Sequence, residues 1–258
     1  MPTTERKEPS LSYILKFILF TLLFLALTLL MSRIFYGVLP HGTKSTALPS
    51  GGSTETPHRI VVLDAGHGGE DGGTSSKNGI LEKDLNLSLT LLLKDQLTAL
   101  GVEVVLTRDT DRLLYDPNAD YVGRKKLLDQ RERLRITEEL KEQKNTEVLF
   151  VSIHMNSYPE ESVRGMQVWY SDNTPDSRAL AEALRKSATE LLGDLHDRSP
   201  AAAGSSIFLL DRLTVPAVLI ECGFLSSPED AALLASDDYR LSLAFAISSA
   251  ILQFNSDS

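Results

Sequence analysis

From residue 59 to residue 254, short β-branched apolar runs alternate with longer stretches of helical spacing. That alternation restricts the chain to folds in which strands, largely parallel, are joined by crossover helices. Strands are expected at Arg59–Leu63, Glu103–Thr107, Glu147–Ile153, Gly165–Tyr170, Ser206–Leu210 and Val215–Ile220. Helices are expected at Glu82–Leu100, Arg124–Lys144, Pro175–Leu192, Pro228–Ala235 and Asp238–Phe254. In the first of these, Leu85, Leu89, Leu92, Leu93 and Leu97 share one face, and Gly101 stops the helix. The expected fold is α/β: a twisted, mostly parallel sheet of about six strands with helices on both faces.

One transmembrane helix is expected to precede that domain. Leu11–Met31 carries a single charge, Lys16, and has the length of about 20 apolar residues that a hydrocarbon core requires. The resulting division is a short cytoplasmic tail (1–10), a transmembrane anchor (11–35), a flexible linker rich in Pro, Gly, Ser and Thr (36–57) and one folded domain (58–256). A cleaved signal peptide is the competing reading; the long run and the lack of a small-residue cleavage pattern after it favour an anchor. Arg6, Lys7 and Lys16 bias the N-terminus toward the cytoplasm, which places the domain outside the cell membrane. The net charge of -9 argues against nucleic acid as a partner. The single cysteine, Cys222, rules out an intrachain disulfide and reads as a buried residue behind its strand.

The topology also gathers chemistry. Ligands in open parallel sheets bind beyond the carboxyl ends of the strands. His67 follows the first strand in "IVVLDAGHGG", His154 ends "VLFVSIH", and Glu221 ends "PAVLIE". Glu82 opens the first helix, whose N-terminus returns to the same edge. His67, Glu82 and His154 then form a His₂Glu set, the pattern of a catalytic zinc site with an open fourth position. Gly66, Gly68 and Gly69 would let the backbone bend and leave room for metal and substrate. Asn156, two residues after His154, would face the same side and could bind substrate or cap its own turn.

Each signal has an ordinary alternative. Glu82 would suit any helix N-terminus, His154 could be a satisfied core histidine, and Glu221 a carboxylate held by backbone amides. His41 and His58 read as solvent-exposed and unpartnered, His196 as a turn residue. The polar stretch Asp109–Gly123 could wall a substrate groove or be a surface loop, and "GRKK" at 123–126 reads as a solvated helix start. What favours a site is the convergence of four residues, distant in sequence, on one edge.

Four blocks in order, "LDAGHGGEDGG", "LEKDLNLSL", "FVSIHMNS" and "PAVLIECGFLSSPED", make the domain resemble the zinc-dependent N-acetylmuramoyl-L-alanine amidases over roughly Arg59–Phe254. The resemblance implies one Zn²⁺ held by His67, Glu82 and His154, a catalytic carboxylate at Glu221, and peptidoglycan muramyl peptides as substrate. It is nearest to the membrane-anchored germination-specific amidases of spore-forming bacteria. This implies removal of stem peptides from spore cortex before muramic lactam forms, with an accessory protein as a possible partner. Ala65, Met155, Thr137 and Ser227 depart from residues common in the family, and none removes a ligand or Glu221. The rival functions are a zinc peptidase cutting wall peptides and a non-catalytic pseudo-amidase that binds cell wall and partners.

Overall fold

The computed structural model describes residues 58–115, 124–193 and 198–254. The expected tail, anchor and linker, with His41, and the turn bearing His196 lie outside the described residues. Among the described residues, no helix is long and apolar enough to cross a membrane.

The elements in chain order are β1 (His58–Ala65), α1 (Glu82–Ala99), β2 (Glu103–Leu106), α2 (Lys125–Lys141), β3 (Thr146–Asn156), β4 (Gln167–Tyr170) and α3 (Pro175–Leu192). They continue with β5 (Ala201–Ala202), a 3₁₀ turn (Gly204–Ser206), α4 (Phe208–Arg212), β6 (Ala217–Phe224), α5 (Pro228–Ala235) and α6 (Asp237–Gln253). Six strands form one sheet in the order β2-β1-β3-β6-β4-β5. β2, β1, β3 and β6 are parallel, β4 runs antiparallel to β6, and β5 is parallel to β4. The expected mostly parallel α/β sheet is therefore present.

The two faces follow from the period of two along each strand. Val61 and Leu63 of β1, Leu149, Val151 and Ile153 of β3, and Val218, Ile220 and Cys222 of β6 pack into the larger core with helices α1, α3, α5 and α6. The alternate residues Val62, Phe150, Ala217 and Leu219 pack the other way, with Leu134 and Leu140 of α2 and Leu209 and Leu210 of α4. On α1 the expected leucines Leu85, Leu89, Leu93 and Leu97 are buried. Replacing the fully buried Leu89 by Ala should cost about 2–5 kcal/mol. Urea denaturation would show this as a lower midpoint with an unchanged slope.

Two local expectations are corrected. Ser206–Leu210 is not a strand: its residues form the end of the 3₁₀ turn and the start of α4, which buries Leu209 and Leu210 against β6 and β3. A short apolar run fits a strand and a buried helical turn equally well by periodicity. The strand is instead Ala201–Ala202, paired with Trp169 and Tyr170. His58 is exposed but not unpartnered; it opens β1 and its Nε2 lies 2.6 Å from Glu103 Oε2 on β2. The "GRKK" start of α2 is also engaged: Lys125 pairs with Glu70 and Lys126 with Asp71.

Candidate metal centre

His154 lies on β3 after Phe150 and Ser152, so its side chain continues the α2-facing row to the carboxyl edge of the sheet. Its register partner on β6 is Glu221, next in the row after Ala217 and Leu219. β1 ends at Ala65, and the following loop carries His67 in a left-handed conformation (φ 60°) that non-glycine residues seldom adopt. Glu82 is the first residue of α1 and is almost completely buried.

These elements bring His67, Glu82 and His154 together. One ligand-type atom from each lies within 4.8 Å of the others. Glu82 Oε1 is 3.1 Å from His67 Nε2 and 2.9 Å from His154 Nδ1. Backbone amides hold the carboxylate from both sides: Met155 N–H donates to Oε1 (3.1 Å) and Thr74 N–H to Oε2 (2.8 Å). Asn86 Nδ2, one turn along α1, donates to the Gly66 carbonyl (3.1 Å) and toward Glu82 Oε1 (3.4 Å). His67 Nδ1 is 3.0 Å from Asp71 Oδ2, which leaves Nε2 as the nitrogen turned to the cluster. A carboxylate on the remote nitrogen of a histidine is the usual outer partner of a metal-ligating imidazole. Two imidazoles, one buried carboxylate and this outer partner fit a divalent metal of zinc type.

The electrostatics follow from the same contacts. Burial opposes ionisation of Glu82, but the two imidazoles outweigh it and hold its carboxyl well below the usual carboxylate range. Burial likewise works against protonated His67, and the Glu82 and Asp71 carboxylates overcome it and raise its pKa. Glu221 goes the other way. Burial dominates and pushes its pKa up to about 7, and its Oε2 is buried without a hydrogen-bond partner. Such a carboxyl is suited to exchanging a proton near neutral pH. Cys222 faces the opposite core, and burial pushes its thiol up, so it stays protonated and packs as the sequence suggests.

Space is kept by glycine. A Cβ on Gly66 would lie 2.1–2.6 Å from three ring atoms of His154, and one on Gly73 (φ 66°) would lie 2.3 Å from Glu82 Oε2. Gly66→Ala should therefore displace the His154 ring and weaken metal binding about 10-fold or more, a size typical of disturbed ligand geometry. Isothermal titration of zinc into the metal-free variant would measure it. A cavity of about 80 Å³ beside the cluster is lined by Gly66, His67, Asp71, Gln130 and His154, among others.

Asn156 is less engaged with the cluster than its spacing suggests. An irregularity in the β3–β6 ladder between His154 and Asn156 breaks the strict alternation, and Asn156 Oδ1 accepts from Ser157 N–H (2.8 Å), as a turn-capping amide does. Of Asp109–Gly123, the described part reaches the cluster's loop: Asp111 Oδ1 accepts from Gly69 N–H at 2.7 Å. Sequence reasoning missed Asp71, Asn86, Arg108 and Arg133. Asp71 had a signal, four residues after His67 in a glycine-rich loop; the two arginines had none.

The fold and the cluster define an α/β domain with a His–Glu–His set and a buried carboxylate, Glu221, at the carboxyl edge of its sheet. Residues 61–253 match the family model described as N-acetylmuramoyl-L-alanine amidase, and the chain belongs to that family of enzymes, which act on peptidoglycan. The germination-specific N-acetylmuramoyl-L-alanine amidase of Bacillus subtilis is 31% identical over 196 residues, covering 76% of this chain and 79% of that one. Among solved structures, the CwlD amidase of Clostridioides difficile, in complex with the GerS lipoprotein, superposes with a TM-score of 0.67 at 32% identity. It covers 77% of this chain and 99% of that one. The amidase AmiC2 of Nostoc punctiforme gives 0.64 at 31% identity, over 78% and 98%.

One of the departing residues has a clear local role: Ser227 is the N-cap of α5, its Oγ accepting from Asp230 N–H, and serine is among the residues preferred there.

Proposed function

We propose that this chain is a single-zinc amidase, anchored in the cell membrane with its domain outside, that removes stem peptides from muramic acid in spore cortex. The observation that carries the catalytic part is the unpartnered, buried Glu221 oxygen on the strand beside a His67–Glu82–His154 cluster. His67, Glu82 and His154 would hold the metal, and Asp71 would fix the His67 ring through its remote nitrogen. A zinc ion in such a site activates water near neutral pH and polarises the scissile carbonyl.

The remaining work belongs to the chain's own groups. Glu221 takes the proton of the attacking water and returns it to the alanine nitrogen as the amide breaks. Its pKa of about 7 lets one carboxyl serve both steps. The Glu82 carboxyl, held ionised by the two imidazoles, would be available to the metal without first losing a proton. Asn156, two residues past His154, has its Oδ1 committed to Ser157, which leaves its amide N–H₂ to meet glycan or peptide.

The cortex role is supported by the similarity to the Bacillus subtilis germination-specific enzyme, and an extracytoplasmic accessory protein by the lipoprotein complex of the Clostridioides difficile relative. Anchoring rests on the Leu11–Met31 run. The test is genetic. Spores of the source organism lacking this gene should have cortex without muramic lactam, restored by the wild-type gene and not by Glu221→Gln. Normal lactam in the null strain would remove the cortex role and leave the amidase reading intact.

A further inference from the structure

Two of the three cluster residues stand off the rigid sheet. His154 is in β3, whose ladder with β1 runs in register to Ala65–Ile153. His67 is on a loop, and Glu82 opens a helix reached only after the whole 66–81 connection. Their mutual position needs cross-links; Asn86 of α1 ties Gly66 from within the helix, and a second tie comes from outside both segments, from Arg108 just past the end of β2.

Arg108 is 1% exposed. Its Nε donates to the Ala65 carbonyl (2.8 Å), and one Nη2 donates both to the Gly66 carbonyl (3.0 Å) and to the Lys83 carbonyl (2.9 Å). Nη1 donates to its own loop at the Thr110 carbonyl (3.1 Å). One guanidinium thus bridges the residue before His67 and the residue after Glu82. Lys83 and Asp111 make a parallel link: Lys83 Nζ donates to the Gly69 carbonyl (2.8 Å) and to Asp111 Oδ2 (2.7 Å).

The contrast with the neighbouring buried arginine shows what this arrangement is for. Arg133 has two carboxylates in contact, Asp64 and Asp129. Arg108 has its hydrogen bonds to described residues on carbonyls alone, so the cost of desolvating a buried ion is not offset by a contacting ion pair. Burial and the nearby Arg133 accordingly hold its pKa below the ordinary arginine value. Aliphatic packing would fill the same space more cheaply. The planar fork of a guanidinium, with five donors in fixed directions, can hold carbonyls from two separate segments at once.

We propose that Arg108 is a positioning residue that sets metal affinity by locking the His67 loop to the helix start carrying Glu82. This rests on the reading of the cluster as a metal centre. The test uses the full-length protein, wild type, Arg108→Lys and Arg108→Met, each stripped of metal and held at a temperature where circular dichroism shows it folded. Zinc affinity is measured by competition with a chromogenic chelator, ligand geometry by the visible spectrum of the Co²⁺ form, and metal-free stability by thermal melting.

Arg108→Met should bind zinc about 10–100-fold more weakly than wild type, the range for lost outer-shell support, with an altered Co²⁺ spectrum. Arg108→Lys, which keeps the charge but not the fork, should fall between. A lower melting temperature with wild-type zinc affinity and an unchanged Co²⁺ spectrum would show a merely structural residue and overturn the proposal. If Arg108→Met does not fold, Arg108→Lys decides by the same two readouts. Wild-type protein that binds no zinc would instead sink the metal reading itself, and this proposal with it.

Discussion

Glu221→Gln is expected to bind zinc as the wild type does, to melt at nearly the same temperature, and to lose about 10²–10⁴-fold in turnover on muramyl peptides. The substitution is nearly isosteric, and Glu221 Oε2 has no hydrogen-bond partner to lose. Among the described residues it makes no hydrogen bond to His67 or Glu82, whose contacts with each other and with His154 are made without it. What disappears is a buried carboxyl beside the cluster with its pKa pushed up to about 7, the group proposed to take and return the proton. Steady-state rates with defined muropeptides, beside zinc titrations, would separate the two effects. Turnover within a few-fold of wild type would remove the proton-transfer role assigned to Glu221.

The second large effect concerns stability. Arg133→Met should destabilise the domain by about 3–5 kcal/mol, the cost of breaking a buried ion pair from one side. For a domain of this size that lowers the melting temperature on the order of 10 °C. Arg133 Nη1 lies 2.5 Å from Asp64 Oδ1, and its Nε 2.8 Å from Asp129 Oδ2. Its other bonds hold the carbonyls of Ala65 (2.8 Å) and His67 (2.8 Å), so the loss also frees the left-handed His67. The variant leaves Asp64, 1% exposed, with Thr107 and Ser152 as its partners among the described residues.

The pH dependence carries a sign that can be checked. In the wild type, burial opposes ionised Asp64, but Arg133 and the two hydroxyls outweigh it and depress its pKa below 3.8. A depressed carboxyl contributes stability that is present above the unfolded pKa and lost as pH falls through the folded one. Without Arg133 the main offset to burial is lost and the folded pKa rises, so the variant loses less stability than the wild type as pH falls into the carboxylate range. The gap between variant and wild type should narrow toward pH 4 and be widest at neutral pH. Urea midpoints across that range would show it, and a gap independent of pH would contradict the ion-pair account.

Much of this was legible in the sequence, for definite reasons. β1, β3 and β6 announce themselves because strands buried on both faces are unbroken apolar runs. His67, His154 and Glu221 could be placed because each ends such a run, and a parallel sheet puts those ends on one edge. Glu82 followed because its helix begins where the first crossover returns.

The rest was hidden by chemistry that looks like something else. The helix α2 reads as charged and amphipathic, yet its buried row is Asp129, Arg133 and Thr137, polar residues four apart. A hydrophobic pattern marks burial only when the core is apolar, and here the helix closes over the Asp64 ion pair. Arg108 was invisible for the same reason: an arginine after a strand is usually solvated, and only the fold reveals four carbonyl contacts around it. The misread strand at Ser206–Leu210 and the unmarked one at Ala201–Ala202 show the limit for segments too short to establish a period by repetition.

The central claim is that the His67–Glu82–His154 cluster holds one zinc ion that drives cleavage of the bond between muramic acid and L-alanine. Its most direct test is to strip the full-length protein of metal, add back zinc in steps, and follow defined muropeptides by mass spectrometry. Release of peptides with a free L-alanine amino terminus should rise from zero and reach its plateau at one equivalent of zinc, and His67→Ala should show no such rise. Cleavage at full rate in the metal-free protein, or a cut within the peptide itself, would contradict it.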